Sequence, residues 1–280
     1  MIFSFVILHY KTADDTLKCI ESILSLSGEK DIIVVDNASD NGSIEKIEDI
    51  YGGFTNVYII KNSENLGFAS GNNVGYQYAR ENLNADFIVV SNNDIVVDTK
   101  DFIEKVINAF EKEHYYIAGP DIVSLADGLH QSPMNAERKS VKQVEREIYR
   151  YYILYLINKL GIYDFLKKKK YQVGVKIQTK TPKMEYNVQL HGSFVIFSPN
   201  YVKKENYAFR PGTFLYMEEA ILFNYCLKNN YGTIFLPEIR VYHKEDSATK
   251  SLFTLEKKKR EFVFKNMIQS LKIYKNVLRM

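Results

Sequence analysis

The first third of the chain alternates continuous apolar runs with stretches of helical periodicity, and this alternation constrains the fold most. The apolar runs cover residues 2–8, 32–36, 57–61 and 87–91, as expected of strands covered on both faces. Residues 13–26, 44–51 and 69–82 between them carry apolar side chains at helical spacing. The order βαβαβαβ predicts an α/β fold with a doubly wound, mainly parallel sheet flanked by helices, in which ligands bind at the carboxyl ends of the strands.

The rest of the chain resumes this pattern around a different kind of segment. A helix at 99–113 and a strand at 117–123 precede a basic, tyrosine-rich helical stretch at about 135–170. Further elements are predicted as a strand at 192–198, a helix at 218–229, strands at 233–236 and 239–243, and a terminal amphipathic helix. We therefore expect one mixed domain over 1–280 with a helical basic insertion.

Composition and cysteine content exclude several classes of protein. The 280 residues are 46% hydrophobic and 25% charged, which is an ordinary globular balance. Cys19 and Cys226 are too few for a disulfide framework or a thiolate metal cluster, so we expect a reducing, cytoplasmic location. The apolar start lacks the basic leader of a secretory signal, and polar residues interrupt 151–166, so no membrane-spanning helix is expected.

Positive charge is concentrated in two segments. Residues 138–183 contain 13 Lys and Arg against 3 acids, and residues 257–280 contain 8 against 1, although the whole chain carries only +3. Both segments mix these cations with Tyr, Phe, Ile and Leu. This mixture suits an anionic surface such as a phospholipid leaflet or a polyphosphate. A solvated helix face or a homodimer interface is the alternative. A nucleic-acid-binding module would leave the polar strand ends of the acidic remainder unexplained.

Polar side chains follow each of the first four predicted strands. Asp36, Asn37 and Ser39 close the second strand, where they either cap the next helix or offer a carboxylate to a nucleobase N–H. In the segment 65–75, NLGFASGNNVG, Gly71 and Gly75 allow a helix to pack closely on the sheet, and Gly67 allows a turn with positive φ. The segment lacks the spacing of a dinucleotide fingerprint and the lysine of a P-loop.

Several carboxylates and one histidine are candidates for chemistry. Asp94 ends the turn Asn92-Asn93-Asp94 and either forms the turn or binds a divalent cation. Glu218 and Glu219 begin a helix, where they either complement its dipole or provide a general base. His243 ends a strand and is either a packed residue or a metal ligand.

These motifs follow one another in a definite order, at residues 5–10, 34–43, 65–75, 92–94, 192–197, 216–219, 231–232 and 242–243. The ordered series resembles family 2 inverting glycosyltransferases. The resemblance is closest to the bacterial rhamnosyltransferase-like branch and omits about 127–186. It implies a GT-A (Rossmann-like) fold, a nucleotide-diphosphate sugar donor linked to UDP or dTDP, and Mg²⁺ or Mn²⁺. It also implies a nucleotide-sugar-binding half at 1–125, a variable insertion at 126–187, an acceptor and catalytic half at 188–250, and the amphipathic helix at 251–280.

The resemblance assigns roles to individual residues. Glu219 matches the catalytic base, Asp94 the metal-binding carboxylate, and His243 a histidine that closes over the diphosphate or metal. The residues implied in nucleotide and donor binding are His9, Tyr10, Asp36, Asn37, Ser39, Asn65, Gly67, Phe68, Asn72, Asn92 and Asn93. We expect His191, Gly192 and Arg210 to contact the acceptor.

Two positions depart from the family pattern. The acidic motif has one carboxylate, Asp94, where many relatives have two, and the family's Glu-Asp-x-Asp reads Glu218-Glu219-Ala220-Ile221. If Glu219 does not act as the base, Glu218 is the next candidate. A catalytically inactive partner subunit is therefore the main alternative, and a sugar nucleotidyltransferase is a weaker one because no Gly-rich loop follows the first strand.

The resemblance and the basic segments together suggest a pathway. The acceptor would be a saccharide, carried on a lipid pyrophosphate, in bacterial capsule, O-antigen or exopolysaccharide synthesis. Arg146, Arg150, 167–170 and 257–260 would meet its negative charge at the inner face of the plasma membrane. The expected location is cytoplasmic and peripheral to that membrane.

Overall fold

The computed structural model describes residues 1–166, 183–245 and 256–280. Its strands in chain order are β1 (Phe3–His9), β2 (Asp31–Asp36), β3 (Val57–Lys61), β4 (Phe87–Asn92), β5 (Ile95–Val97), β6 (Ile117–Ser124), β7 (Glu185–Tyr186), β8 (Phe194–Phe197) and β9 (Thr233–His243). Its helices are α1 (Ala13–Leu24), α2 (Ser43–Tyr51), α3 (Gly67–Glu81), α4 (Phe102–Glu113), α5 (Val141–Lys159), α6 (Tyr163–Leu166), α7 (Pro199–Val202), α8 (Glu218–Asn229) and α9 (Glu256–Arg279).

These strands form one mixed sheet with the order β3-β2-β1-β4-β8-β6-β9-β5, and β7 pairs with β9. The first four strands run parallel to one another, as their βα alternation predicts. Strand β8 pairs antiparallel with both β4 and β6 and joins this half to the rest of the sheet. The α/β class and the flanking helices predicted from the sequence are confirmed.

Apolar side chains fill both faces of the sheet. One cluster packs α1, α2 and α4 against the sheet, and the other packs α3, α7 and α8 against the opposite face. Gly71 and Gly75 let α3 approach β1, because a methyl group at these positions would lie 2.6 Å from Leu8 Cδ1 and 2.3 Å from Val6 Cγ1. The predicted packing role of both glycines agrees with this geometry. A third, smaller cluster joins α5, α8 and α9.

The structure differs from the predicted elements in three places. The two strands expected at 233–236 and 239–243 are the single strand β9, whose pairing with β6 shifts register at Pro237, since Leu236 pairs with Pro120 and Arg240 with Asp121. The expected helix at 135–170 is divided into α5 and α6 at Gly161, which has φ of +78°. Short β5, β7 and α7 were not predicted.

None of the helices in the described ranges is long and apolar enough to cross a membrane. The basic residues 167–170 lie outside the described residues.

Candidate active site

The carboxyl ends of β1, β2, β3 and β4 lie at one edge of the sheet. His9 pairs with Asp36, Asp36 pairs with Lys61, and Leu8 pairs with Asn92 in adjacent strands. The polar residues that follow these strands are therefore brought together, as the parallel order predicts.

Asp36 is a buried carboxylate at this edge. Both of its oxygens accept the backbone N–H of Ser39 at 3.2 Å. Burial raises the pKa of Asp36, and its hydrogen bonds with Ser39 oppose this effect. The turn role and the ligand role considered for Asp36 are compatible here, because a carboxylate has more acceptor positions than one N–H can fill.

His9 has a supporting position. Its Nδ1 lies 2.7 Å from Thr16 Oγ1 and its Nε2 lies 2.8 Å from Ser43 Oγ. Burial lowers the pKa of His9 to about 4, so the ring is neutral at physiological pH. Both ring nitrogens are occupied, and the ring joins β1 to the first turns of α1 and α2. Donor binding by the His9 side chain stays a prediction.

The loops after β1 and β2 lie side by side. The backbone N–H of Lys11 donates to Ser39 Oγ at 2.8 Å. The Lys11 ammonium lies 2.6 Å from the Asp40 carboxylate and 5.2 Å from the centroid of the partly exposed Tyr10 ring. Lys11 has φ of 63°, a conformation that costs energy in a residue other than glycine. Tyr10 and Ser39 therefore belong to one surface at the strand ends.

Asn37 fixes the loop that leads into α3. Its Oδ1 accepts the backbone N–H of Leu66 at 2.9 Å, and its Nδ2 donates to Asn65 Oδ1 at 3.0 Å and to Gly67 O at 3.2 Å. Asn65 Oδ1 also accepts the N–H of Gly67 at 2.9 Å. Asn37 and Asn65 thus hold the loop shape.

Gly67 joins the two halves of the site. Its φ is +77°, and a methyl group there would lie 2.3 Å from the carbonyl oxygen of Phe214. The N–H of Phe68 donates to the same oxygen at 2.7 Å, and the Phe68 ring packs on Phe209 with centroids 5.1 Å apart. The segment before α8 therefore contacts the start of α3 at this glycine.

Asn72 is a buried residue of α3 with an unused acceptor. Its Nδ2 donates to Phe68 O at 3.0 Å, while its Oδ1 has no hydrogen-bond partner in the described part of the chain. An unpaired buried amide oxygen costs free energy, so a donor from a ligand would stabilise it.

The turn after β4 contains three polar residues with different surroundings. Asn93 is buried and donates through Nδ2 to Thr12 Oγ1 at 2.7 Å and Thr16 Oγ1 at 2.9 Å, which ties the turn to α1. Asn92 is partly exposed at the end of β4, and Asp94 follows as the carboxylate of the turn.

Asp94 lies beside His243 because the next residue, Ile95, is paired with His243 between β5 and β9. His243 Nε2 is 3.3 Å from Asp94 Oδ1, and His243 Nδ1 is 2.8 Å from Gln131 Oε1. The amide nitrogen of Gln131 donates to the Glu245 carboxylate, which turns Oε1 toward His243. In the neutral ring, Nδ1 therefore carries the proton and Nε2 directs its lone pair at Asp94.

Asp94 and His243 fit a divalent cation that is held partly by substrate. Within residues 1–166, 183–245 and 256–280, no three or more His, Cys, Asp or Glu side chains are grouped as a metal site. However, His243 Nε2 and Asp94 Oδ1, which are 3.3 Å apart, offer one nitrogen and one oxygen ligand. Mg²⁺ and Mn²⁺ commonly take one or two protein ligands and fill the remaining positions with phosphate oxygens and water.

His191 and Gly192 connect this pair to α8. The rings of His191 and His243 are 5.7 Å apart, and burial lowers the pKa of His191 to about 4. His191 Nδ1 lies 2.9 Å from Ser193 Oγ. The next residue, Gly192, lies against Glu219, because a methyl group on Gly192 would be 2.8 Å from Glu219 Oε1. Two adjacent residues, His191 and Gly192, therefore contact the Asp94–His243 pair and Glu219, respectively.

The helix that carries the two glutamates begins from a strained turn. Tyr216 and Met217 have φ of 76° and 71°, which is unusual for two successive residues other than glycine. Burial and the adjacent Glu219 raise the pKa of Glu218 to about 7. Burial also raises the pKa of Glu219, and hydrogen bonding to the backbone of Glu219 and Gly192 opposes this rise. Carboxylates with raised pKa values are suited to general-base chemistry.

Arg210 has partners away from the glutamate pair. Its guanidinium lies 3.7 Å from Glu205 Oε2 and 4.4 Å from the centroid of the Tyr225 ring. Glu205 also accepts the hydroxyls of Tyr225 and Tyr231 at 2.8 and 3.0 Å. Acceptor binding by Arg210 stays a prediction.

Gln131 is a site residue that the sequence did not suggest. It lies in an irregular segment after β6, where no periodicity or spacing relates it to His243. The chain turns back after β6, so that the N–H of Gln131 donates to Ile122 O at 2.8 Å, and β6 pairs with β9, where Ser124 is opposite His243.

Residues 4–170 match the family described as Glycosyl transferase family 2. The low-salt glycan biosynthesis hexosyltransferase Agl10 of Haloferax volcanii is 27% identical over 122 residues, which are 43% of this chain and 36% of Agl10.

Two solved structures share the fold at low sequence identity. TarS residues 1–349 of S. aureus in complex with UDP superpose with a TM-score of 0.54 at 12% identity, over 88% of this chain and 61% of that one. GalNAc-T7 with UDP, GalNAc and Mn²⁺ gives a TM-score of 0.60 at 13% identity, over 88% and 44%. The chain thus spans less than two thirds of the length of these relatives, and the likeness to the two structures shows the GT-A fold. Since the family match covers more than half of its residues, the chain belongs to glycosyl transferase family 2.

Proposed function

We propose that the chain is an inverting glycosyltransferase that moves a sugar from a nucleotide-diphosphate sugar to a saccharide acceptor. One observation carries the proposal: the adjacent residues His191 and Gly192 contact the Asp94–His243 pair and Glu219, respectively. A group suited to the diphosphate and a group suited to the acceptor hydroxyl thus both contact one short segment of the chain.

The donor is proposed to be linked to UDP or dTDP. Asp36 would accept the N–H of a uracil or thymine ring, and Asn72 Oδ1, which has no hydrogen-bond partner among the described residues, would accept a hydroxyl of the donor. TarS and GalNAc-T7 were both crystallised with UDP, which supports this donor class. Tyr10, Asn92 and the Asn37–Asn65 loop would line the same pocket.

Asp94 and His243 are proposed to hold Mg²⁺ or Mn²⁺ together with the donor diphosphate. Such a cation, when bound, neutralises negative charge on the departing nucleoside diphosphate. Gln131 orients His243 so that its Nε2 lone pair faces the position between the ring and Asp94.

Glu219 is proposed to act as the general base. Its carboxylate takes the proton of an acceptor hydroxyl, and the oxygen attacks the anomeric carbon as the bond from that carbon to the diphosphate oxygen breaks. The electron pair of the broken bond leaves with the diphosphate. A single displacement of this kind inverts the configuration at the anomeric carbon. Glu218, with a pKa of about 7, is the second choice for the base.

The acceptor is proposed to be a lipid-linked saccharide in the assembly of a surface polysaccharide. Agl10 is a hexosyltransferase of glycan biosynthesis, which supports a role of this class. Gly192 lies beside Glu219, and it would contact the acceptor sugar together with the preceding residue, His191.

The proposal is tested by incubating the full chain with UDP- and dTDP-sugars and Mg²⁺ or Mn²⁺, and measuring release of the nucleoside diphosphate with and without saccharide acceptors. Glu219→Gln should abolish transfer and leave the thermal shift caused by the donor nearly unchanged. Glu104→Gln is the matched control, since Glu104 is an exposed glutamate in the first turn of α4. Unaltered turnover in Glu219→Gln would remove Glu219 from the mechanism.

An inactive partner subunit is the second candidate function. Glu219 lines a cavity whose other walls include Leu190, Phe209 and Leu222, and these apolar neighbours favour the protonated acid. An inactive subunit would release no nucleotide from any donor, even slowly and without acceptor. The same hydrolysis measurement therefore separates the two functions.

A further inference from the structure

Helix α5 carries two apolar faces, of which only one is covered. Val144, Ile148 and Tyr151 pack into the cluster that joins α5 to α8 and α9. On the opposite side, a second series at helical spacing is exposed, and its residues are Lys142, Arg146, Tyr149, Ile153, Leu156 and Leu160. We call this series the outer stripe. A helix that is apolar on both sides is normally covered on both sides.

Large apolar side chains along the outer stripe face solvent. Tyr149, Leu156 and Leu160 expose 69%, 56% and 74% of their surface. Single exposed residues of this kind are ordinary, but here they continue along one helix face and are joined by Tyr152 and Ile162, which are also exposed.

Positively charged side chains lie at both ends of this apolar surface. Lys142 and Arg146 occupy the first two positions of the outer stripe, and neither forms an ion pair with any described residue. The exposed lysines 257–259 begin α9 beside the other end, where Asn158 Nδ2 donates to Lys257 O at 3.1 Å. The nearby acids Glu145 and Asp164 are paired with Arg279 and Arg260. The surface therefore presents unpaired positive charge around apolar side chains.

The outer stripe is connected to the candidate active site through α9. Ser270 Oγ of α9 donates to Leu215 O at 3.1 Å, three residues before Glu218. Tyr274 of α9 and Asn224 of α8 both donate to Glu137 O, at 3.0 and 2.9 Å. A surface that docks on α5 would thus lie against the part of the chain that positions the glutamates.

We propose that the outer stripe of α5 docks on an anionic lipid surface, with Ile153, Leu156 and Leu160 inserted at the headgroup boundary and Lys142, Arg146 and lysines 257–259 on the lipid phosphates. Charge favours this occupant over a second copy of the chain. In a twofold dimer through the stripe, Lys142 and Arg146 would face either the same cations or the apolar half of the partner, and both arrangements are unfavourable. Anionic lipid satisfies the cations and the apolar side chains together.

The experiment is flotation of the full chain with phosphatidylcholine vesicles that either contain or lack phosphatidylglycerol, at low salt. We expect binding only when phosphatidylglycerol is present. The double variant Leu156→Ser, Leu160→Ser should bind at least about tenfold more weakly, since these side chains no longer insert. Lys142→Gln and Arg146→Gln should each weaken binding about fivefold, and added salt should weaken it further.

Matched controls separate the stripe from general surface effects. Ile50→Ser with Phe54→Ser removes two side chains that are 48% and 46% exposed at the end of α2 and beyond it, and should bind as the unmodified chain does. Lys203→Gln with Lys228→Gln removes two exposed lysines elsewhere and should have less effect than Lys142→Gln with Arg146→Gln.

Three results would overturn the docking proposal: no binding to the anionic vesicles, equal binding by the Leu156→Ser, Leu160→Ser variant, or a dimer in light scattering that this variant abolishes. Donor hydrolysis is measured in parallel in solution. Loss of vesicle binding with unchanged hydrolysis, or the reverse, distinguishes a failure of this proposal from a failure of the proposed glycosyl transfer.

Discussion

His243 Nε2 lies 3.3 Å from Asp94 Oδ1, although the two residues are far apart in the chain. The short strand β5 produces this contact, because Ile95 pairs with His243 directly after Asp94. The contact joins Asp94, which follows the parallel strand β4, to His243 at the end of β9. The candidate cation site thus depends on a three-residue strand.

Substitution of Gln131 should weaken the candidate cation site without unfolding the chain. In Gln131→Leu, His243 loses the acceptor that keeps the proton on Nδ1, so the Nε2 lone pair is no longer held toward Asp94. We expect Mn²⁺ to bind about tenfold more weakly in the presence of UDP. Electron paramagnetic resonance of free Mn²⁺ measures this without turnover. Gln77→Leu on α3 is the control, and equal Mn²⁺ affinity in both variants would contradict the orienting role.

A methyl group at residue 192 should slow the reaction more than it destabilises the chain. The added Cβ in Gly192→Ala would lie 2.8 Å from Glu219 Oε1, so the carboxylate has to move. Displacement of a catalytic group costs about ten- to a hundredfold in turnover. We expect this loss in kcat with nearly unchanged donor affinity. Gly232→Ala meets no atom within 4 Å and is the control. Equal kcat values in the two variants would argue against Glu219 as the base.

The four parallel strands could be predicted from the sequence because a pattern of neighbouring residues indicates each strand and each helix between them. Continuous apolar runs mark β1 to β4, helical spacing marks the helices between them, and parallel strands share one edge. The polar strand ends therefore meet as expected. Gly71 and Gly75 also revealed the close packing of α3, because their spacing places both on one helix face.

The rest of the fold and of the candidate site depends on contacts that no periodic pattern in the sequence indicates. Strand β5 has only three residues, which is too short for its hydrophobic pattern to be recognised. Pro237 interrupts the apolar pattern of β9, although the strand continues through it. Gln131 lies in an irregular segment, and its role follows from the return of that segment onto β6 and from the pairing of β6 with β9. Sequence also could not tell that His9 has both ring nitrogens bonded within the chain, since Thr16 and Ser43 approach it only in the fold.

Two glycines with the same backbone conformation should respond differently to alanine. Gly67 and Gly42 have φ of +77° and +74°, so both variants suffer left-handed strain of about 1–2 kcal/mol. Gly67→Ala also places a methyl group 2.3 Å from Phe214 O, whereas Gly42→Ala meets no atom within 4 Å. We expect Gly67→Ala to lower the free energy of unfolding by roughly 3 kcal/mol in urea, and Gly42→Ala by about half of that. Equal losses would show that the Phe214 contact adapts at no cost.

Neutralising Glu218 should change how stability depends on pH. Burial and Glu219 raise the pKa of Glu218 from its ordinary 4.5 to about 7, so the protonated form stabilises the fold. This contribution is complete below pH 4.5 and is lost as the pH rises through 7. In Glu218→Gln the dependence disappears, and the variant should gain about 2–3 kcal/mol relative to the unmodified chain between pH 5 and pH 8. Urea unfolding at both pH values measures the difference, with Glu104→Gln as the control for loss of a first-turn charge. A stability difference that is the same at both pH values would mean that Glu218 keeps its ordinary pKa, and that the pair does not favour one protonated glutamate.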